Sequence, residues 1–370
     1  MPEKRNRSRV PRYIRDLTPY QAGKTIAEVK EAYDPPRISK LASNENRLGC
    51  SPKVQAAIYG AFEEIQDYPD PLARALRAKI AGENRVAPEN IIVAGGSESI
   101  IAILCRTFFS EGDELLTADA TFVGIYVHAG IQEIDLRKIP LTSDYRFDLE
   151  AMAGSVSDRT KMIYIANPNN PTGTYVTKNE FKTFLGNLPE DVLLVMDEAY
   201  FEYASEVPDY PHALDFSFPN LLVLRTFSKA YGLAGLRVGY AVGPEELIRH
   251  MMKTKLAFEP TTMAQAAALA ALEDPQFLNK SRKMVDESRK RLYRFLDSRG
   301  VSYVRTVSNA VLMLLASADE ASAFTQSMLE QGVILRQAQA FGIPRGVRVT
   351  LGTDHEMEHF EQSFEKTFVR

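Results

Sequence analysis

Short apolar runs separated by stretches of helical periodicity fill the chain from about Ile91 to Val242. IIVA (91–94), ELLT (114–117), EIDLRKI (133–139), MIYIA (162–166), VLLVM (192–196), LLVL (221–224) and VGYAV (238–242) are too short for amphipathic helices and read as strands. LLVL, flanked by polar residues, has the composition of a strand buried on both faces of a parallel sheet. The alternation predicts an α/β fold, a mainly parallel seven-stranded sheet sandwiched by helices. The pattern then changes: 245–299 reads as helices, the last one long, with Leu278, Val285, Leu292 and Phe295 on one face and Gly300 as its stop. SYVRT, AVLMLL, a helix from about Asp319, VILR, VRVTLG and a closing helix follow, a smaller α+β C-terminal domain. We divide the chain into an N-terminal arm (1–43), a large domain (44–262) and a small domain (263–370), with no internal repeat or low-complexity linker.

Composition adds little to this picture beyond exclusions. With 370 residues, 45% hydrophobic and 25% charged, the chain can bury a large core. A net charge of −4 gives no general reason to expect nucleic acid, and the basic cluster Lys4, Arg5, Arg7, Arg9, Arg12 and Arg15 reads as a solvated tail. That segment lacks the apolar core of a secretory signal, and no apolar run is long enough to span a bilayer. Cys50 and Cys105 have neither metal-ligand spacing nor a disulfide framework. The expected setting is a reducing cytoplasm, with no membrane and no metal.

In parallel sheets ligands sit beyond the carboxyl ends of the strands, so the residues there come first. After LLVL stand Thr226, Ser228 and Lys229, then Gly232, Gly235 and Gly239 around Arg237. A lysine picked alone is a solvated lysine. On a glycine-bordered loop, beside hydroxyls and a guanidinium, Lys229 suits a Schiff base to a phosphorylated aldehyde, pyridoxal phosphate. Gly95-Gly96-Ser97-Glu98-Ser99 joins IIVA to an apolar helix, and free N–H groups at a helix start seat a phosphate. We assign that seat to the backbone of Gly96, Ser97 and Glu98 and to the Ser97 hydroxyl, not to the Glu98 carboxylate. MIYIA ends in Asn167-Pro168-Asn169-Asn170-Pro171-Thr172-Gly173, a rigid turn that presents amides at the sheet edge. VLLVM ends in Asp197-Glu198-Ala199-Tyr200, where Asp197 is either an N-cap or the partner of a buried cation. A pyridinium nitrogen is such a cation, and an opposite charge within about 4–6 Å moves a pKa by about 1–3 units. Asn170 and Tyr200 could hydrogen-bond the ring's phenolic oxygen. Phe122 reads as core or as a flat face for a flat ring, Tyr68 as a hydrophobic helix cap or a phenol reaching a phosphate, and Asn44-Glu45-Asn46 as a polar loop.

NPNNPTG, DEAY and RTFSKAYGLAGLRVGY in this order resemble the fold-type-I, class-II-type pyridoxal-phosphate aminotransferases, specifically the histidinol-phosphate aminotransferases. The likeness runs from LTPYQAGK and KLASNEN through YPD to GVILR and VRVTLGT. It implies Lys229 as the Schiff-base lysine, Asp197 as the pyridinium partner, and Asn170 and Tyr200 on the ring oxygen. Gly96, Ser97, Thr226, Ser228 and Arg237 match the phosphate cup, and Phe122 the stacking aromatic. Tyr68 matches a tyrosine given to the phosphate site of the other subunit, which implies a homodimer with shared active sites, the arm around Tyr20 also reaching across. Tyr20, Asn44, Arg336 and Arg348 fall on the substrate side, the arginines gripping anionic groups. The implied reaction, part of histidine biosynthesis, is L-histidinol phosphate with 2-oxoglutarate giving imidazole acetol phosphate and L-glutamate. An aromatic amino-acid transaminase and a phosphothreonine-type decarboxylase are the alternatives on the same scaffold. The chain departs from the family pattern at Arg47, at Ala310-Val311 in place of Asn-Phe, and at Phe258-Glu259-Pro260, so an added positive charge and a lost amide are expected near the substrate.

Overall fold

The computed structural model describes residues 9–17 and 23–368. Seven strands form one sheet: β1 (Ile91–Ala94), β2 (Glu114–Ala118), β3 (Asp135–Ile139), β4 (Thr160–Ala166), β5 (Leu193–Asp197), β6 (Leu221–Thr226) and β7 (Gly239–Val242). Their order is β1-β7-β6-β5-β4-β2-β3, with β7 antiparallel to both its neighbours and the other pairings parallel. Side-chain alternation splits the sheet between two cores. On β1, Ile92 and Ala94 join a cluster with Ile100, Ile101 and Leu104 of the helix Ser97–Phe108. Ile91 and Val93 join Val54, Leu76 and Ile80 on the opposite face. Strands covered on both faces have no polar side to show, which is why they read as unbroken apolar runs.

The helix Thr262–Leu272 crosses the division drawn from sequence at 262/263 and buries Ala264, Ala267, Ala268 and Ala271 in the second of these clusters, on the large sheet. Pro275–Ser298 is the next helix, and its Val285, Leu292 and Leu296 pack on a different sheet. That sheet is antiparallel and contains β8 (Ser302–Val304), β9 (Ala310–Leu314), β10 (Arg336–Gln337) and β11 (Gly346–Thr350), in the order β10-β11-β9-β8. The run VILR is two strands rather than one: Val333–Ile334 pairs in parallel with Ser39–Lys40, and the chain then turns into β10. Leu41 continues this stitch, accepting from Thr350 N–H at 2.8 Å and packing in the small-domain core. The end of the arm is thus tied to the second sheet, which delivers residues 42–46 to the cleft between the two sheets.

Candidate active site

The parallel strands β4, β5 and β6 end side by side: register pairs Ala166 with Asp197 and Asp197 with Leu224. A cavity of about 460 Å³ opens above them, bounded on the far side by Arg336, Phe341 and Arg348 of the small domain. Asp197 lies on its floor, 3% exposed. One carboxylate oxygen accepts from the Tyr164 hydroxyl at 2.5 Å and the other from the Ala199 N–H at 3.1 Å. Burial pushes this acid up to about 6 against the pull of those donors and of Lys229, so the site favours a bound cation next to it. Lys229, on the loop after β6, lines the same cavity and donates to the Ser43 carbonyl at 3.4 Å. Its Nζ is 5.6 Å from the centre of the Tyr200 ring.

At one end, donors suited to a dianion converge. The helix Ser97–Phe108 starts at Gly96 with no side-chain cap, so its first N–H groups are left for a ligand. Thr226 Oγ1 donates to Ser228 Oγ at 3.0 Å, and Arg237 Nη1 reaches the same Oγ at 3.4 Å. Gly96 has φ +95°, and a Cβ there would come within 2.8 Å of Arg237 Nη2. Only glycine allows that approach. The loop is anchored by Gly232, also at positive φ, where a Cβ would strike the Gly49 carbonyl. Phe122 lines the cavity wall, and the Glu98 side chain is half exposed with Oε1 4.0 Å from His128 Nε2.

At the other end Arg336 and Arg348 are register partners on β10 and β11. Like charges directly opposite on neighbouring strands repel, so the pair favours an anion between them. Arg348 is 5% exposed; it donates to Asn170 Oδ1 and, at 2.6 Å, to the Ala42 carbonyl. The Asn170 carbonyl oxygen is thereby taken, and its Nδ2 is the atom left to donate. Asn44, expected on the substrate side, does not line the cavity; with φ +57° it is buried, and its Nδ2 donates to the Tyr200 hydroxyl at 2.9 Å. Tyr68 is 79% exposed, stacked on Phe258 at 4.2 Å and outside this cavity. Tyr20 lies outside the described residues.

Amine, buried acid, anion seat and paired arginines therefore share one cleft. Residues 36–364 match the family model for aminotransferase class I and II. The chain belongs to that family. This aminotransferase is 42% identical over 347 residues to the histidinol-phosphate aminotransferase of Geobacillus sp. (strain WCH70), covering 93% of this chain and 94% of that protein. The Bacillus subtilis (strain 168) enzyme of the same name is 38% identical over 95% of this chain and 97% of its own length. Among solved structures, the histidinol-phosphate aminotransferase from Sinorhizobium meliloti in complex with pyridoxal-5'-phosphate superposes with a TM-score of 0.89 at 27% identity, over 97% of both chains. L-threonine-O-3-phosphate decarboxylase from Porphyromonas gingivalis shares the fold, with a TM-score of 0.77 at 21% identity.

The structure shows what surrounds the positions where this aminotransferase departs from the family pattern. Arg47 does not face the cavity; it pairs with Glu356 at 2.7 Å, its charge neutralised by the closing helix. Ala310 supplies no amide, and the residue before it, Asn309, donates its Nδ2 to the Asn44 carbonyl at 3.0 Å. Glu259 lies beside the helix start and accepts from Ser99 Oγ at 3.0 Å. Sequence reasoning passed over Tyr164, hidden as a polar-tipped residue in the apolar run MIYIA, and Glu45, which lines the cavity and pairs with Lys40 at 2.6 Å. It also passed over Arg225, the one charged residue of β6, which meets Glu198 at 2.9 Å. A charged or phenolic residue inside an otherwise apolar strand was the available signal. No helix among the described residues is long and apolar enough to cross a membrane.

Proposed function

We propose that this chain is a pyridoxal-phosphate-dependent aminotransferase acting on L-histidinol phosphate and 2-oxoglutarate. The observation that carries the reading is the placement of Lys229 and Asp197 on one cavity with an anion seat at one end and Arg336 and Arg348 at the other. The residues present fit the cofactor. Gly96 leaves room for Arg237 and a phosphate, and a buried acid held near 6 calls for a cation at the ring-nitrogen position. Gly96, Ser97, Thr226, Ser228 and Arg237 would hold the phosphate, Asp197 the ring nitrogen, Asn170 and Tyr200 the ring oxygen, Phe122 the ring face, and Lys229 the aldehyde carbon. When bound, the group supplies an electron sink for the charge left as a proton departs Cα.

Each remaining role belongs to the protein. The Lys229 amine, once displaced by the substrate amino group, is the base that takes the Cα proton. Asn44 fixes the Tyr200 phenol, and the Arg348–Asn170 bond couples the substrate grip to the cofactor ligand. Two guanidinium groups hold carboxylate or phosphate equally well, so one pocket serves glutamate and histidinol phosphate in turn. The reading extends to a homodimer in the cytoplasm. Tyr59, Phe62, Ile65, Tyr68, Leu256 and Phe258 are all exposed, apolar surface that a second copy of the chain would cover, and both cysteines are free thiols.

Purified protein should show a visible absorption band that borohydride bleaches; its absence would reject a lysine-bound cofactor. Single-turnover spectra should respond to histidinol phosphate and glutamate. A response to phenylalanine alone would favour an aromatic transaminase, and carbon dioxide from phosphothreonine a decarboxylase.

A further inference from the structure

Tyr164 is the fifth of the seven residues of β4, paired in register with Val195, and it is fully buried. Phenylalanine would pack there without a polar atom to satisfy, yet the chain places a hydroxyl in the core. Among the described residues that hydroxyl makes one hydrogen bond, to Asp197 Oδ2 at 2.5 Å. The backbone carbonyl of Tyr164 accepts from Thr117 Oγ1 at 2.8 Å, which holds the strand and the ring in place from the β2 side. Asp197 Oδ1 is held by the Ala199 N–H. The acid is thus gripped once on each oxygen from beneath, which sets the plane of its carboxylate and leaves its remaining lone pairs for the cavity.

We propose that Tyr164 is a positioning residue for Asp197: its phenol orients the carboxylate toward the cavity and keeps it charged, and so sets how strongly the site holds a proton on a bound heteroaromatic ring. This rests on the assignment of Asp197 as partner of the ring nitrogen. The other groups facing Asp197 are few. Lys229 favours its charged form, while Glu198 opposes it and is itself paired with Arg225. The burial of Tyr164 and its carboxylate neighbour raise its own ionisation well above the ordinary tyrosine range, and Tyr126 and Tyr200 act in the same direction. The phenol is therefore a donor at every working pH. Without it a buried carboxylate loses a charge-assisted bond and takes up the proton that the ring should keep.

The test is the holoenzyme of Tyr164→Phe beside wild type, Asp197→Asn and the double variant. Tyr164→Phe should bind pyridoxal phosphate and show the visible band, with the pH midpoint of that band raised by about one unit, because a less positive ring withdraws less charge from the conjugated nitrogen. Its kcat should fall about tenfold at pH 7, with KM for both substrates within about twofold. Adding Tyr164→Phe to Asp197→Asn should move the midpoint no further. An unshifted midpoint in Tyr164→Phe, or the same shift in the Asp197→Asn background, would overturn the proposal while leaving the site assignment standing. Wild-type protein with no visible band would remove both.

Discussion

At the scale of single residues, the roles proposed for Lys229 and Arg348 are separable by experiment. Lys229→Ala should retain pyridoxal phosphate non-covalently, since phosphate seat and Asp197 are untouched, but lose transamination by about 10³-fold or more, anchor and base being removed together. Near-normal turnover would refute its role. Arg348 touches Asn170 and the Ala42 carbonyl and faces Arg336 across the strand pair. Arg348→Ala should raise KM for histidinol phosphate and glutamate by about 10–100-fold while cofactor affinity changes by less than about fivefold. Equal loss of both, read by substrate titration and cofactor dialysis, would place this arginine in the cofactor site instead. Lys229 was legible because a lysine after a buried strand, bordered by glycines and hydroxyls, is chemically unusual. Asn44 was not, because a polar loop residue looks the same whether it touches substrate or braces a tyrosine.

At the scale of elements, β5 and β6 share a buried charge cluster beneath the cavity. Arg225 is sandwiched between Glu198, at 2.9 Å, and the face of the Phe201 ring, with its guanidinium carbon 3.5 Å from the centroid. Glu198 also accepts from the Ala213 N–H at 3.0 Å, tying the loop after β5 into the core. Arg225→Met should cost about 3–5 kcal/mol of stability by chemical denaturation, since it strands a fully buried carboxylate; a loss below about 1 kcal/mol would show that the cluster is not coupled. Glu202, next to this pair, is pushed up to about 7 by burial, and its Oε2 has no hydrogen-bond partner among the described residues. Between its ordinary value of 4.5 and about 7 the folded state holds a proton that the unfolded state has released. Stability therefore falls as pH rises through that window. Glu202→Gln should be more stable than wild type at pH 8, by on the order of 2 kcal/mol, and equal to it near pH 4. Parallel unfolding curves at both pH values, with the same offset, would contradict this.

At the scale of the whole molecule, the exposed aromatic surface beside the YPD loop is the face that the proposed homodimer would bury. Tyr68 stacks on Phe258, and Lys255 donates to the Pro71 carbonyl at 3.2 Å, so the loop packs against the segment before helix Thr262–Leu272. For the proposed homodimer, Phe62→Glu combined with Phe258→Glu should give a monomer in sedimentation equilibrium and abolish turnover without unfolding the chain; a mass unchanged from wild type would reject this face as the interface. The sequence alone determined where the seven strands lie and which residue types follow their carboxyl ends, because strands such as β1 and β5, buried on both faces, are apolar and because the turns after them carry the polar residues. Only the tertiary structure decided that VILR splits between two sheets, that Arg336 faces Arg348, that Arg47 is spent on Glu356, and that Tyr164 reaches Asp197. Those facts depend on pairings between residues far apart in the chain. Local periodicity records which face of an element is buried, not which distant side chain it is buried against.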